Sequence, residues 1–531
     1  MRSTPWRWER NSVGHKDANP NIAPAAFPER LGLPELRIAS DARLMRDVFQ
    51  RHLRPLNGNR LHIQDCVITR RRYRQAGGCI LQYALSLLDW QTGLERIHWA
   101  TGIMYRDDRA ERTWQKLRAA NQSQETVDTS QSFEPNSFIP ELRMLVQLFP
   151  HDRRMPALSS LIFGAPPELE ALLLARFGRG NWRVETLRVD PVRYRAWLAV
   201  VLRYTISAVD SATGRRAERR FFLKMYAYER GEQIYQLLQS LSQNNGAAEG
   251  FNVARPVAYS SEMNAVIQEE APGISFQQIL LDSRNGEVGW AARRVARALA
   301  SLHLDHDHVP AAKHVSVADE VERLEDARDL LQWACPHLSE KIGAVVAEIV
   351  ARLEEVPLKP THLDLKTDHM LLDGDRCAII DLDSFAKADP VLDPAHLLAQ
   401  IVGLTLRFPV PQSRLRAGAR LFADEYFKRV PASWRERLVT HYSGAALKTA
   451  VGFFRRQEPQ WSEKVAAMLT EAKFAIQRRL VTTLQDDTGK AVYEFEETNR
   501  VSVLSHNCGK RCTVEVRLYT RKIQSCDGVR S

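Results

Sequence analysis

The sequence predicts an α+β fold in which a small antiparallel-sheet domain occurs twice and a helical domain follows. Three observations support this prediction: an internal repeat in the first half, a change to helical periodicity after residue 272, and a segment rich in aspartate and histidine at 361–383. A chain of 531 residues is too long for one hydrophobic core, so several domains are expected. Its 44% hydrophobic and 26% charged content is typical of globular proteins.

The first half of the chain contains a repeat with a constant offset of 121 residues. Three pairs of segments share this offset: RYRQAGGCILQYALS (72–86) with RYRAWLAVVLRYTIS (193–207), IMYRDDRAERTWQKL (103–117) with KMYAYERGEQIYQLL (224–238), and LVQ (145–147) with VIQ (266–268). Three matches in phase without a gap indicate two copies of one structural unit.

Each copy reads as three strands, a helix and a further strand. In the second copy, AVVLRYTI and RFFLKMY have the alternation of strands and are separated by the polar turn DSATG. ERGEQIYQLLQSL then spaces its apolar residues along one helix face, and AVIQEE closes the unit. Such a sheet leaves one face open, so we expect the copies to pack on each other or on a third body.

The copies differ at a position that matters chemically. The second has Lys224 where the first has Ile103, and Lys224 lies on the strand face opposite Leu223 and Met225. A lysine there can be a solvated residue, or it can hold an anion if Glu232 on the following helix braces it. The first copy is therefore not expected to bind nucleotide, although it alone keeps the glycine turn AGG, where the second copy has AWLA.

The second half has helical periodicity. Three amphipathic helices are predicted from VGWAARRVARALASLH, VADEVERLEDARDLLQWA and IGAVVAEIVARLEEV. MLLD (370–373) and CAIIDLD (377–383) form a predicted hairpin, and Asp393 is placed at the N-cap of the next helix. Residues 413–482 read as further helices.

The segment THLDLKTDHMLLDGDRCAIIDLD (361–383) allows three interpretations. It offers His362, Asp364, Asp368 and His369 as metal ligands, as in a metal-dependent hydrolase, but the spacing differs from H-x-H-x-D-H. It can be a polar hairpin without chemistry. It can also be the catalytic loop of a phosphotransferase, because phosphoryl transfer needs one carboxylate facing the acceptor and another holding a metal ion against the phosphates.

The third interpretation agrees with a family pattern. HLDLKTDH, then IIDLD, then DPVLD resembles the H-x-D-x-x-x-x-N, I-D and D-P-x-x-D motifs of the protein-kinase-like aminoglycoside phosphotransferase family, over roughly residues 180–410. The resemblance implies a bilobal protein-kinase-like fold, with an antiparallel-sheet N-lobe and a helical C-lobe, preceded here by a degenerate N-lobe-like copy. The expected domains are a leader (1–40), the degenerate copy (41–158), the N-lobe (159–272), the C-lobe (273–482) and a poorly ordered basic tail (483–531).

The resemblance also implies an ATP- and Mg²⁺-dependent small-molecule kinase and assigns roles to residues. Asp364 would act on the acceptor hydroxyl, His362 would organise the loop, and Lys366 would lie near the γ-phosphate. The nucleotide would contact Lys224, braced by Glu232, and the interlobe linker with Gln268, Glu269 and Glu270. The metal would be held by Asp381, with Asp368 or His369 as further candidates, and Asp393 would buttress the loop.

One departure from the family pattern concerns the metal. His369 stands where the family has asparagine, and imidazole is a poor ligand for Mg²⁺, which prefers oxygen. A pseudokinase that binds nucleotide or a partner without catalysis is therefore the main alternative to an enzyme.

Charge and composition limit the classes of partner and the cellular compartment that we expect for this chain. The net charge of +10 admits an anionic partner, but the arginines are spread along the chain, so nucleic acid is not expected and a sugar or anionic metabolite is favoured. No apolar run approaches the length of a membrane span, and the first 24 residues do not resemble a secretory signal. Seven scattered cysteines favour a reducing cytoplasm, although Cys508, Cys512 and Cys526 with His506 leave a zinc site open.

Overall fold

The computed structural model describes residues 33–56, 60–74, 78–121, 133–243, 250–282, 285–309, 311 and 313–478. The predicted tail and its cysteines lie outside the described residues, as do most of the leader and two residues of the AGG turn. Within the described part, no helix is both long and apolar enough to cross a membrane.

The N-terminal domain is a five-stranded antiparallel sheet with helices beside it. Its strands lie in the order β1-β2-β3-β5-β4. Its elements, in chain order, are α1 (Leu36–Ala39), α2 (Ala42–His52), β1 (Leu61–Arg74), β2 (Gly78–Asp89), β3 (Glu95–Tyr105), α3 (Arg109–Asn121), β4 (Asn136–Ile139) and β5 (Met144–Leu148).

A second sheet domain follows two short connecting helices. Its strands lie in the order β6-β7-β8-β11-β10 and are again antiparallel. This segment comprises α4 (Leu158–Ile162), α5 (Pro167–Leu174), β6 (Trp182–Arg195), β7 (Ala199–Asp210), β8 (Arg216–Tyr226), α6 (Gly231–Gln243), β9 (Asn252–Val253), β10 (Pro256–Ser260) and β11 (Ala265–Glu269).

The two sheets have the same strand order, and β6, β7 and β8 each begin 121 residues after β1, β2 and β3. The shared order supports the proposal that the first domain is a copy of the second. Both sheets contain one strand more than the sequence pattern indicated, β4 and β10 respectively. β10 begins with Pro256 and all its residues are half-buried, so it lacks the alternation of a one-sided strand.

The C-terminal domain is helical around a small sheet. Its elements are β12 (Ile274–Ser275), α7 (Phe276–Asp282), α8 (Asn285–Asp305), α9 (Val317–Ala334), α10 (Ser339–Val350), β13 (Lys359–Thr361), β14 (Met370–Asp373), β15 (Arg376–Ile379), β16 (Ala386–Ala388), α11 (Leu392–Thr405), α12 (Gln412–Phe427), α13 (Ala432–Glu436), α14 (Leu438–Arg456) and α15 (Trp461–Arg478). β14 and β15 form the predicted hairpin, and β13 pairs with β16. With two antiparallel-sheet domains and a helical domain, the predicted α+β class is confirmed.

The N-terminal domain contacts both of the others. One hydrophobic cluster includes Ile103 of β3 together with Leu202 of β7 and Leu223 of β8, so it spans the two sheet domains. The Tyr73 ring of β1 lies 4.4 Å from Trp333 of α9 and stacks at 6.0 Å on Phe454 of α14. The N-terminal domain therefore bridges the second sheet and the helical domain.

Candidate active site

Asp393 fixes the start of the loop between β13 and β14. Its carboxylate accepts hydrogen bonds from the backbone N–H groups of His362, at 2.7 Å, and Leu363, at 2.8 Å. Leu363 has φ of 65°, which is costly for a branched residue and needs such support. His303 of α8 donates to the same carboxylate at 3.1 Å. Asp393 lies in the first turn of α11, whose N-cap is Val391, so its predicted N-cap role is wrong, while its contact with the loop is as expected.

His362 connects this loop to the end of the β14–β15 hairpin. Its Nε2 lies 2.9 Å from the carbonyl oxygen of Ile380, and since a carbonyl can only accept, Nε2 carries the proton. Nδ1 then accepts from the backbone N–H of Asp364 at 3.4 Å. The side chain is fully buried, so His362 shapes the loop and does not face a substrate.

Asp364 and Lys366 form a pair that faces solvent. Lys366 Nζ donates to Asp364 Oδ2 at 2.7 Å, and the Asp364 side chain is 41% exposed. Burial of the remainder opposes ionisation, but the Lys366 ammonium outweighs it and lowers the pKa of Asp364. Asp364 is therefore a carboxylate at neutral pH, and it is open to an incoming hydroxyl.

Lys224 of β8 reaches two aspartates that follow β15. Its Nζ lies 2.6 Å from Asp381 Oδ1 and 2.8 Å from Asp383 Oδ1. The Tyr226 hydroxyl also donates to Asp383 Oδ1, at 2.9 Å. Strand alternation places Leu223 and Met225 in the core and turns Lys224 to the opposite face, as expected. The side chain of a sheet strand and two carboxylates of the C-terminal domain therefore meet at one point.

Asp381 has a second cationic partner, since Arg193 of β6 donates to Asp381 Oδ2 at 3.3 Å. Burial opposes ionisation of this carboxyl, but Lys224 and the other nearby cations outweigh it and hold the pKa of Asp381 far below its ordinary range. Asp381 has φ of 61°, in the left-handed region that aspartate tolerates better than most residues. The carboxylate is therefore ionised across the usual pH range.

Glu232 does not brace Lys224. It lies in the first turn of α6, is exposed, and accepts from Gln236 one helical turn later at 3.4 Å. The predicted Lys224–Glu232 pair is not formed because Asp381 and Asp383 occupy the ammonium group. The bracing carboxylates come from the C-terminal domain and not from the helix next to the strand.

His369 and Asp368 differ in exposure, since the His369 side chain is buried and that of Asp368 is exposed. The His369 ring is buried and stacks on His362 at 5.5 Å, with its Nε2 3.6 Å from Asp381 Oδ2. Burial, aided by repulsion from His362, lowers the pKa of His369 to about 4, so the ring is neutral at pH 7. Asp368 is 53% exposed and lies 3.8 Å from the same Nε2.

The two glutamates of the linker form ion pairs with arginines of the sheet domain and its connecting segment. Glu269 binds Arg176 at 2.7 Å, and Glu270 binds Arg220 at 3.1 Å. Gln268 lies on β11 opposite Phe222. Since both glutamate side chains are paired, a nucleotide base at this linker would have to use backbone groups rather than their carboxylates.

A divalent cation would find a suitable pair of oxygen donors here. Asp381 and Asp383 both approach the single Lys224 ammonium, so the two carboxylates already converge on one cationic group. Mg²⁺ is commonly held by one or two carboxylates together with phosphate oxygens, so this pair fits it, whereas the His369 imidazole does not. Within the described ranges, no group of three or more His, Cys, Asp or Glu side chains is arranged to hold a metal ion.

The turn between β6 and β7 is anchored to the N-terminal domain. Trp197 is 1% exposed, its backbone N–H donates to Asp152 Oδ2 at 2.9 Å, and its Nε1 donates to Gln147 Oε1 at 2.9 Å. The Tyr194 hydroxyl donates to the same Asp152 oxygen at 2.9 Å. The backbone N–H of Leu198 donates a hydrogen bond to the carbonyl oxygen of Arg195. The absence of glycine from this turn agrees with its structure, because the turn packs against the N-terminal domain and is not an open phosphate-binding loop.

Sequence reasoning missed Asp383, Arg193 and His303. Asp383 stands two residues after Asp381 in IIDLD, so the alternation of that short run was an available signal. His303 ends the predicted helix ALASLH, but its partner Asp393 is 90 residues away. Arg193 lies in a strand of mixed polarity, 188 residues before its partner, and no local pattern marks it.

Comparison with known proteins supports the family resemblance. Residues 207–445 match the profile of the phosphotransferase enzyme family (APH), which confirms the resemblance seen in the motifs and supports a small-molecule phosphotransferase. No curated protein sequence matches the chain.

Similar solved structures are kinases and phosphotransferases at low identity. They include a Plasmodium vivax ethanolamine kinase (11% identity, 56% of this chain and 84% of that chain, TM-score 0.36), a Cryptosporidium parvum choline kinase (10%, 55% and 91%, 0.37) and a Brachybacterium faecium macrolide 2'-phosphotransferase (18%, 57% and 98%, 0.37).

Proposed function

Because residues 207–445 match the phosphotransferase enzyme family, we propose that this chain transfers the γ-phosphoryl group of ATP to a hydroxyl group of a small molecule. The observation that carries the proposal is the convergence of Lys224 with Asp381 and Asp383, next to a loop that presents Asp364. Phosphoryl transfer depends mainly on positioning and on neutralising charge, and these groups supply both.

In this proposal, Asp364 acts on the acceptor. Its exposed carboxylate orients the acceptor hydroxyl and takes its proton as the oxygen attacks phosphorus. A lowered pKa makes Asp364 a weak base, so its larger contribution is to hold the hydroxyl in line. Lys366, 2.7 Å from Asp364, carries a positive charge toward the phosphoryl group being transferred.

The donor phosphates belong at Lys224. Phosphate oxygens would replace the carboxylates as partners of the ammonium group, and Arg193 would stay with Asp381 or join the phosphates. Asp381 and Asp383 would then hold Mg²⁺, which supplies charge neutralisation of the phosphates when bound. His369 remains neutral beside them and contributes no charge.

We also propose the domain limits 41–158, 159–272 and 273–482 as a cap domain, an N-lobe and a C-lobe. A reducing cytoplasm is our proposed location, supported by the free and buried thiols of Cys66, Cys79, Cys335 and Cys377 in the described part of the chain.

The proposal is tested by a screen of hydroxylated metabolites with ATP and Mg²⁺. We expect phosphorylated product with at least one acceptor, detected by mass spectrometry, and its loss in Asp364→Asn. A screen in which wild type and Asp364→Asn show the same ATP turnover with every acceptor would contradict an enzymatic role.

A nucleotide-binding pseudokinase is the second candidate. It is favoured by His369, whose imidazole faces Asp381 where the family pattern has an oxygen ligand, and by the two cations already bound to Asp381. Nucleotide binding without any product, unaffected by Asp364→Asn, would select this candidate over the enzyme.

A further inference from the structure

Arg193 and Lys224 project from the same face of the second sheet. Arg193 of β6 stands opposite Val201 of β7, and Val201 stands opposite Lys224 of β8. Residues that stand directly opposite each other in an antiparallel sheet have their side chains on one face. The two backbones are two strand spacings apart, roughly 10 Å, and both long side chains reach the carboxylate of Asp381, at 3.3 Å from Arg193 and 2.6 Å from Lys224.

A β-bulge gives Arg193 this orientation. The register of β6 against β7 shifts between Pro191 and Arg193, where Val192 is the additional residue. Proline fits such a bulge because it has no N–H to donate to the neighbouring strand. Without the additional residue, Arg193 would stand opposite Val200, which is buried in the core. The bulge therefore turns Arg193 to the face of Lys224, and bulges near functional sites commonly redirect a side chain in this way.

We propose that Arg193 is a further catalytic residue, which binds the γ-phosphoryl group of ATP as it passes to the acceptor, and that the N-terminal domain holds Arg193 in place for this role. The inference rests on the proposed phosphotransferase function and adds to it a residue that contacts the transferred group. It also gives the N-terminal domain a part in the reaction.

The two cations bind different oxygens of Asp381. Lys224 contacts Oδ1, whereas Arg193 contacts Oδ2, the oxygen that also lies 3.6 Å from His369 Nε2. His369 belongs to the loop that presents Asp364, so Arg193 lies on the catalytic-loop side of the carboxylate. Its side chain is 44% exposed, against 18% for Lys224, and is therefore the more accessible of the two to a ligand.

The chemistry of the transfer calls for a cation at this place. The acceptor oxygen forms a bond to the γ-phosphorus and gives its proton to Asp364, while the bond from phosphorus to the β–γ bridging oxygen breaks and ADP leaves with the electron pair. Negative charge is spread over the γ-oxygens during this step. A guanidinium group can donate paired hydrogen bonds to two of them. Arg193 becomes available for these bonds when Asp381 holds the metal ion instead.

The N-terminal domain fixes the residue next to Arg193. The Tyr194 hydroxyl donates to Asp152 Oδ2 at 2.9 Å, and the Tyr194 carbonyl accepts from Gln82 Nε2 at 3.3 Å. The Tyr194 ring stacks on Trp99 at 5.9 Å. All three partners belong to the N-terminal domain, so this domain determines where the backbone of Arg193 lies. Asp152 is therefore a positioning residue in this inference.

The first test compares MgATP and MgADP binding to the full-length chain by isothermal titration calorimetry. We expect Arg193→Gln to weaken MgATP about tenfold, as for the loss of a charge-assisted hydrogen bond, while MgADP affinity does not fall, because ADP has no γ-phosphoryl group. Arg193→Lys keeps the charge and should retain part of the preference for ATP. Arg183→Gln is the matched control, because Arg183 is exposed at the opposite end of β6.

The second test measures kcat with the acceptor found in the screen. We expect Arg193→Gln to lower kcat at least about hundredfold, as for the loss of a group that stabilises charge in the transition state. Asp152→Ala should also lower kcat in the wild-type background, but not further in Arg193→Gln, because it acts through Arg193. Tyr194→Phe, which removes only the hydroxyl bound to Asp152, gives the same comparison if Asp152→Ala does not fold. Equal falls in both backgrounds would overturn the positioning role.

Failure of the inference and failure of the proposed function give different results. If Arg193→Gln keeps the wild-type preference for MgATP over MgADP and the wild-type kcat, the inference is overturned and the phosphotransferase stands. If the preference for MgATP depends on Arg193 but no acceptor yields product, the γ-phosphate contact is kept and the phosphotransferase is removed. If the wild-type chain binds neither nucleotide, both are overturned.

Discussion

Lys224 and Asp381 form an ion pair at 2.6 Å although 157 residues separate them in the chain. Lys224 belongs to the second sheet and Asp381 to the helical domain, so the pair joins the two bodies between which a nucleotide would bind. Both side chains are mostly buried. The Lys224 ammonium is the group that would bind phosphate, and the Asp381 carboxylate is the group that would bind a metal ion. Nucleotide binding must therefore exchange this pair for contacts with phosphate and cation.

Replacing Lys224 should remove nucleotide binding. Lys224→Met keeps the stem of the side chain but leaves Asp381 and Asp383 without their shared cation, so we expect ATP affinity to fall at least about tenfold and the free energy of unfolding to fall by about 1–3 kcal/mol. Calorimetry and urea unfolding measure the two effects. Lys341→Met, on the exposed surface of α10, is the matched control, and equal ATP affinity in both variants would contradict the assignment of Lys224.

Asp364→Asn should separate chemistry from binding. We expect product formation to fall about 10²–10⁴-fold, as for the loss of a general base, while ATP affinity stays within about twofold because Asp364 faces the acceptor. Initial rates with the acceptor found in the screen provide the measurement. Asp373→Asn, at the exposed end of β14 in the neighbouring hairpin, is the control and should retain full activity. Full activity in Asp364→Asn would remove this residue from the mechanism.

His369→Asn should improve the use of magnesium. Asparagine would place an amide oxygen near Asp381, and Mg²⁺ accepts such a ligand more readily than an imidazole. We expect half-maximal ATP binding at a lower Mg²⁺ concentration in this variant, whereas His369→Ala should show no such gain. If both variants behave alike, His369 does not occupy a metal-ligand position.

Stability should fall as the pH is lowered from about 6.5 toward 4. Burial lowers the pKa of His369 and of His396 from 6.5 to about 4 in the folded chain, so in this window the unfolded state binds protons that the folded state does not. Each histidine then contributes up to about 1.4 kcal/mol of lost stability per pH unit. Urea unfolding at pH 7, 6 and 5 should show a smaller decline in His369→Asn than in wild type. His314→Asn is the control, because His314 is exposed. If the free energy of unfolding declines from pH 7 to pH 5 as much in His369→Asn as in His314→Asn, the prediction is contradicted.

Asp152→Ala should loosen the contact between the two sheet domains. The substitution leaves the Tyr194 hydroxyl and the Trp197 N–H without their acceptor in a buried interface, so we expect a loss of about 3 kcal/mol in the free energy of unfolding. Urea unfolding gives this value. Asp107→Ala removes an exposed carboxylate of the same domain and should change stability by less than about 0.5 kcal/mol. Equal stability of the two variants would show that Asp152 does not anchor the turn.

The secondary structure and the orientation of strand side chains could be predicted from the sequence. Strand alternation turned Lys224 away from Leu223 and Met225, and helical spacing marked α8 and α9, because these patterns depend only on neighbouring residues. The order of motifs predicts Asp364 and Asp381 as site residues, and this stays a prediction. These features need no knowledge of which elements meet in space.

The long-range side-chain contacts of these residues could not be predicted from the sequence. Glu232 was expected to brace Lys224 because it follows in the chain, but the bracing groups are Asp381 and Asp383. The anchoring of Trp197 by Asp152 joins two domains, and neither residue belongs to a periodic pattern that indicates the contact. Long-range pairings depend on how whole domains pack, which the sequence periodicity of a single element does not encode.

The most direct test of the central claim is isothermal titration calorimetry of ATP into the wild-type chain, with and without Mg²⁺. The account predicts one nucleotide bound per chain, tighter binding with Mg²⁺, and loss of the signal in Lys224→Met. Saturation at about 100 times Kd should also stabilise the fold by about 2.7 kcal/mol. No binding of ATP, GTP or ADP at millimolar concentration, with or without the metal, would contradict both the kinase and the nucleotide-binding pseudokinase.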